Sequence, residues 1–292
     1  MKFLIAVGSK EYSKNTLHLG VQIAKAFDAH ISIVYVGPKE RKLFEGEVDL
    51  VRDNLEKWDI FHPGIDVLKW AHGELLKLGY FENAKKNDFN PRHILEENGR
   101  FRMVLPSSNG DAELILREGE IVQELRKELS NTPRDLVIIG GSQGKRRMAH
   151  DIIQFLPTSV FVVKNMNLKR HYKLLVLTDD SEGTKKALLF AALIAENQKY
   201  PIRTLTVSKT KRFGSGYMGA AEYAKAYLKK KNLTVEQFFL SGDPVTHFVQ
   251  FASDNHIIVM GASTANPFKK FFMGSKPIST LKKSRSPILV VR

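Results

Sequence analysis

KLLVLTDDSEGTKKALLFAALIA, residues 173–195, sets a strand, a polar turn and a helix side by side. Lys173–Thr178 is a short apolar run of strand length, closed by Thr178-Asp179-Asp180-Ser181. Beyond it Leu188, Ala191, Ala192 and Ala195 recur at the i, i+3, i+4, i+7 spacing of one helix face. The plan continues downstream. Strands are expected at Ile202–Val207, Thr234–Phe239, His256–Met260 and Pro287–Val291, with helices at Tyr217–Lys231, Val245–Ala252 and Pro277–Lys283. Short buried strands alternating with amphipathic helices require right-handed crossovers, hence a parallel sheet covered on both faces.

The first half repeats this order. Lys2–Val7 reads as a strand, and Leu17, Gly20, Val21 and Ala24 as the apolar face of the next helix. Ile31–Val36, Glu113–Leu116, Asp135–Ile139 and Val160–Val163 complete five strands, with a helix at Glu120–Leu129. First strands of the two halves lie about 170 positions apart, but the fourth strands, ending at Gly140 and Gly261, only 121. The first half therefore holds about fifty additional residues, placed at 61–111, with Trp70, Tyr80, Phe81 and a turn signal at Asn109-Gly110. We expect a first domain over 1–168 and a second over 169–292, each an open parallel five-stranded sheet. The insert is expected to add helix and hairpin over an exposed edge, with a partner surface as its other reading.

The 292 residues are 43% hydrophobic and 26% charged, which fits two globular cores and excludes a disordered chain. Cysteine is absent, so a disulfide framework, a thiolate nucleophile and a zinc–thiolate site are all excluded. No run reaches the ~18 apolar residues of a membrane span. Met1–Val7 is too short for a signal-peptide core; we expect a cytoplasmic protein. The net charge of +14 is unevenly spread. Residues 169–292 hold 21 Lys/Arg against 8 Asp/Glu, and no acid follows Asp254. Such a balance attracts an anion: nucleotide phosphate, nucleic acid or a lipid surface.

In an open parallel sheet, ligands bind beyond the carboxyl ends of the strands where strand order reverses. Two segments of the second half meet there: Thr178, Asp179 and Asp180, and Gly261 to Thr264 followed nine residues on by Gly274-Ser275. Small residues let backbone N–H groups approach phosphate oxygens. Ser275 and Pro277 suit the cap and first turn of a helix, whose N-terminus attracts anions. Lys269, Lys270 and Lys276 add positive charge, and Asp179 suits ribose hydroxyls.

These residues resemble the universal stress protein family in its tandem two-domain form. The family signature of Gly, two residues, Gly, nine residues, Gly-Ser/Thr appears as Gly261, Thr264 and Gly274-Ser275 with its length intact. Ile258-Val-Met-Gly261 and Ser286-Pro-Ile-Leu-Val-Val291 match its flanks, and Asp179–Glu182 its Asp-Gly-Ser-Glu turn. The resemblance implies a Rossmann-like fold of the adenine-nucleotide alpha-hydrolase type. It also implies ATP or a related adenine nucleotide in the second domain. Asp179 and the strand end near Val207 would then face adenine and ribose, and Gly261, Gly274 and Ser275 the phosphates, with Thr178, Asp180, Met260, Ala262, Thr264 and Lys276 also at the nucleotide site. It implies further that the halves pair as a pseudo-dimer through Val160–Val163 and Ile288–Val291, with a homodimer of whole chains. Thr264 stands where the family has glycine, a costly exchange if φ there is positive. The first half departs further: Val7-Gly8-Ser9 has no aspartate, and nine residues after Gly144 stand Gln154-Phe155.

No catalytic constellation emerges. The nine histidines, His247 and His256 among them, show no metal-binding spacing, and no P-loop pattern occurs. Asp179 and Asp180 are the candidates for a Mg²⁺ beside phosphates, or else a solvated turn pair. Two other functions stay open: nucleic-acid or partner-protein binding, suggested by Phe268, Phe271 and Phe272 among Lys269 and Lys270, and a slow Mg²⁺-dependent ATPase.

Overall fold

The computed structural model describes residues 1–38, 63–81, 89–90, 94–97, 99–106, 111–141, 146–262 and 276–292. The chain divides into two compact units: Met1–Ala24 with Asp28–Arg134, and Asp135–Arg292 with Lys25–Phe27.

The first unit contains β1 (Lys2–Val7), α1 (Lys10–Ala26, whose last two residues fall in the other unit), β2 (His30–Gly37), α2 (Pro63–Lys77), β3 (Leu95–Glu97), β4 (Arg100–Leu105), β5 (Ala112–Glu118) and α3 (Ile121–Asn131). Its strand order is β1-β2-β5-β4-β3. β1, β2 and β5 are parallel, with Lys2 opposite His30 and Ser32 opposite Glu113. β4 and β3 add on antiparallel, Arg100 opposite Arg117 and Leu95 opposite Arg102. This hairpin lies over the edge of β5, where the sequence placed the additional residues. The helix expected among them, α2, packs on β2 and β5 and so serves as the crossover between these strands rather than as an addition. Tyr80 and Phe81 are buried there, 5% and 6% exposed, as core. The Asn109-Gly110 turn lies outside the described residues.

Buried charge holds the hairpin down. Glu128 of α3, fully buried, accepts from Arg100 Nε and Nη2 at 2.9 and 2.8 Å and from Arg117 Nε and Nη2 at 3.0 and 2.8 Å. Glu113 accepts from Ser32 Oγ at 2.8 Å, Arg102 Nη1 at 3.0 Å and Arg134 Nη2 at 2.7 Å. Burial raises the Glu113 pKa, but Ser32 and the arginines outweigh it and hold the group below its ordinary value.

The second unit contains β6 (Leu136–Gly140), α4 (Arg146–Phe155), β7 (Ser159–Val163), β8 (Lys173–Thr178), α5 (Glu182–Gln198), β9 (Ile202–Ser208), α6 (Ser215–Lys230), β10 (Val235–Ser241), α7 (Pro244–Ala252), β11 (His256–Gly261), α8 (Lys276–Lys283) and β12 (Ile288–Val291). Its strand order is β10-β9-β8-β11-β12-β7-β6. β10 through β12 are parallel to one another, as are β7 and β6; β12 meets β7 antiparallel, Leu289 opposite Phe161. Each terminal strand reaches across that seam. Lys164, just past β7, donates to Leu281 O at 2.5 Å and Ser284 O at 3.2 Å at the end of α8, where a cation meets the negative pole of a helix. Arg292, just past β12, donates to Ile153 O of α4 and, through its backbone, to Ser159 Oγ.

α5 packs beside α6, and α7 beside α8. The buried face of α5 is mostly small (Gly183, Thr184, Ala187, Ala191, Ala192, Ala195), so the helix axis lies close to the sheet. α7 starts at Asp243, whose side chain accepts from Thr246 N at 2.8 Å, with Pro244 in the first turn. Among the described residues no helix is long and apolar enough to cross a membrane.

Candidate nucleotide site

In the second unit the chain leaves β8 toward β9 and β10, then returns to place β11 on the other side of β8. Strand order therefore reverses between β8 and β11, where a crevice opens beyond the carboxyl ends. Val259 lies opposite Val176, which brings Gly261 level with Thr178.

Four contacts assemble the mouth of this crevice. Thr178 and Thr206, opposite each other on β8 and β9, join hydroxyls at 2.6 Å. Both are buried, so each satisfies the other where water is excluded. Gly261 at the end of β11 lies directly on Gly183 in the first turn of α5. A Cβ at Gly261 would stand 2.3 Å from Gly183 C and 2.5 Å from its O, and backbone cannot give way as a side chain can. Gly216 in the first turn of α6 leaves room for Asp180, whose Oδ2 would lie 2.8 Å from a Cβ there. Finally, Lys276 at the start of α8 reaches Asp179 Oδ2 at 3.4 Å.

Asp179 is the fixed point. Its Oδ1 accepts from Ser181 Oγ at 2.5 Å, Ser181 N at 3.2 Å and Thr184 Oγ1 at 2.9 Å, while its own N–H donates to Thr184 Oγ1 at 3.1 Å. Ser181, the N-cap residue of α5, uses its hydroxyl on this carboxylate rather than on the helix. Burial raises the Asp179 pKa; Ser181, Lys276 and Thr184 together outweigh it, and the group stays charged below its ordinary value. With Oδ1 saturated, Oδ2 is the oxygen left for another donor.

Of the residues the sequence singled out, Thr178, Asp179, Asp180, Gly261, Ala262 and Lys276 come together here. Val207 and Met260 are 5% and 4% exposed at the ends of β9 and β11, and Ala262 N donates to Val291 O at 2.7 Å. Thr264, Gly274 and Ser275, with Phe268, Lys269, Lys270, Phe271 and Phe272, lie outside the described residues. Thr184, Gly183, Gly216 and Thr206 were not singled out. Their signals were a glycine inside a helix's first turn, a Gly-Ser-Gly opening to α6, and threonines level on adjacent strands.

Asp179 holds three donors on one oxygen and a lysine on the other, and Asp180 lies against Gly216. Among the described residues no cluster of three His, Cys, Asp or Glu side chains suits a metal.

The universal stress protein family model matches residues 171–292. A universal stress protein from Archaeoglobus fulgidus DSM 4304 shares the fold with a TM-score of 0.63 at 14% identity, covering 100% of this chain and 96% of that one. A functionally unknown protein from Pseudomonas aeruginosa PAO1 aligns with a TM-score of 0.59 at 12% identity, covering 99% and 92%. The cytoplasmic domain of a prokaryotic cation chloride cotransporter aligns at 0.52 and 11%, covering 99% and 94%. At such identities the likeness is one of fold. No curated protein matches the sequence. With its reversal point, its aspartate turn and this family match, the C-terminal part of the chain carries a universal stress protein domain.

Proposed function

We propose that the second domain binds an adenine nucleotide, ATP foremost, at the mouth between β8 and β11, and that the protein acts as a nucleotide-responsive regulator in the stress response. The observation that carries this is Asp179, held charged with one oxygen pinned and the other turned to the crevice beside Lys276. Oδ2 accepts from ribose hydroxyls, adenine lies over the end of β9 at Val207, and the polyphosphate extends past Gly261 and Ala262 toward the start of α8. Gly274 and Ser275 complete the phosphate contacts in this proposal. Calorimetry with ATP tests it: saturable binding that weakens at least tenfold in Asp179→Asn is expected, and no heat at millimolar ATP overturns it.

The antiparallel β7–β12 seam supports an intramolecular pairing of the two repeats, 1–168 and 169–292, in the manner of two subunits. Further pairing of whole chains belongs to the same proposal and is read by light scattering.

A second reading, binding of single-stranded nucleic acid, is favoured by α6. On α6 and in the segments flanking it, Lys209, Lys211, Arg212, Lys225, Lys229, Lys230 and Lys231 are exposed, with Glu222 as the acid among them. Tyr223, 42% exposed, stacks on Tyr227 with ring centroids 6.2 Å apart, a platform of the kind bases stack on. Affinity for an oligonucleotide falling steeply with salt supports it; a flat response removes it.

A further inference from the structure

Asp179 Oδ2, the oxygen left to a ribose, already has a donor. Three hydrogen bonds from Ser181 and Thr184 converge on Oδ1, so the carboxylate cannot rotate without losing all of them. Lys276 Nζ stands at Oδ2, 97 positions away in sequence, and ties the start of α8 to the turn after β8. Both side chains are partly exposed, 45% for Lys276 and 33% for Asp179, so the ion pair is accessible and exchangeable.

From this, and resting on the nucleotide-site reading above, we propose that Lys276 is a specificity-determining residue which makes the site select nucleotides over nucleosides. The ammonium and the ribose hydroxyls compete for one oxygen. A ligand that is adenosine alone weakens the ion pair by drawing on the same oxygen and gives Lys276 nothing in return. A ligand with phosphates supplies an anion at the start of α8, beside the Lys276 backbone, and the ammonium turns from Asp179 to phosphate as the ribose takes its place. The same lysine is thus an obstacle to adenosine and a partner to ATP. One flexible side chain with two alternative acceptors suffices.

The consequence is a pair of opposite effects from a single substitution. An exposed ion pair is worth little, so its removal in Lys276→Met should strengthen adenosine binding about two- to fivefold. The same change removes a charged hydrogen bond to phosphate and should weaken ATP binding, with the ATP-over-adenosine preference falling about tenfold or more. Lys276→Arg, which keeps the charge, should retain most of that preference.

The test is calorimetric titration of the full chain, in wild type and both variants, with ATP and with adenosine at fixed ionic strength, after circular dichroism shows unchanged folding. Opposite shifts for the two ligands in Lys276→Met establish the proposal. ATP binding to wild type with adenosine affinity unchanged or reduced in Lys276→Met overturns it while leaving the nucleotide site in place. Failure of wild type to bind either ligand overturns both, and so separates loss of the site from loss of the selectivity device.

Discussion

At the end of β1 the N–H groups of Gly8 and Ser9 donate to Ser13 Oγ at 2.9 and 3.3 Å. At the end of β8 the N–H of Asp179 donates to Thr184 Oγ1 at 3.1 Å. The positions correspond at a constant offset of 171 residues, Gly8 with Asp179 and Ser13 with Thr184. The hydroxyl from the following helix closes both turns, so it is part of the frame. Only the second turn places a carboxylate on that frame, and there the hydroxyl gains a second task by donating to Oδ1. The two units also treat their far strands differently. β5 is flanked by a hairpin held through buried Arg–Glu pairs, whereas among the described residues β10 ends its sheet. The first unit concentrates its organised charge at that edge, the second at the strand-end crevice.

If buried charge is what holds the hairpin, Glu128→Ala strikes hardest. It leaves Arg100 and Arg117 buried without their shared carboxylate, and should destabilise the first unit by about 3–5 kcal/mol in urea denaturation. A loss under 1 kcal/mol would mean the hairpin stands on apolar packing alone. Next comes Gly261→Ala. Its Cβ meets the Gly183 backbone, whereas at Gly141, beyond the corresponding β6, a Cβ meets the side chains of Lys164 and Val162. The first substitution should cost about 3 kcal/mol and the second distinctly less; equal melting shifts would erase the distinction between a backbone seat and a side-chain one.

Exchanging the turns themselves gives a smaller but more specific effect. Asp179→Gly should lower ATP affinity about tenfold to a hundredfold, while Gly8→Asp should create no second site. Two equivalents of bound ATP in Gly8→Asp would show that the first turn lacked only its acid. The smallest effect concerns His256, which opens β11, where Asp135 stands just before β6. His256 is 3% exposed and its Nδ1–H donates to Ala252 O at 2.9 Å. Burial is the main cause lowering its pKa; the Ala252 carbonyl and Glu236 oppose, while Arg203 and Lys173 reinforce. Below about pH 6.5 the unfolded chain takes up a proton that the folded one refuses. Stability is therefore kept above that pH and declines as pH falls toward the lowered folded value. In His256→Phe the melting temperature between pH 7 and 5 should vary less than in wild type; an unchanged slope assigns the effect to other groups.

The parallel strands and most helices of both units are legible because apolar runs of strand length and i, i+3, i+4 faces are local signals; α4 and the antiparallel strands β3 and β4 are not among the elements so read. The turn at Thr178-Asp179 was legible for the same reason. What stayed hidden depends on which neighbours meet. Gly183 reads as a weak helix residue until Gly261 is seen beneath it, and Lys276 reads as one more phosphate-facing cation until it is found on Asp179. Arg100 and Arg102 alternate on β4 like any solvated edge, yet Arg100 is buried, because the partner acids come from β5 and α3. A residue count alone cannot separate α2, a crossover helix between β2 and β5, from additional chain.

The antiparallel meeting of β12 with β7 reverses polarity within one continuous ribbon of strands. The tips of β8 and β11 thus discharge onto one rim, and the tip of β6, with Gly141, onto the opposite rim. The two rims thus face away from each other, and Lys164 and Arg292 are the rivets that fasten one side of the seam to the other.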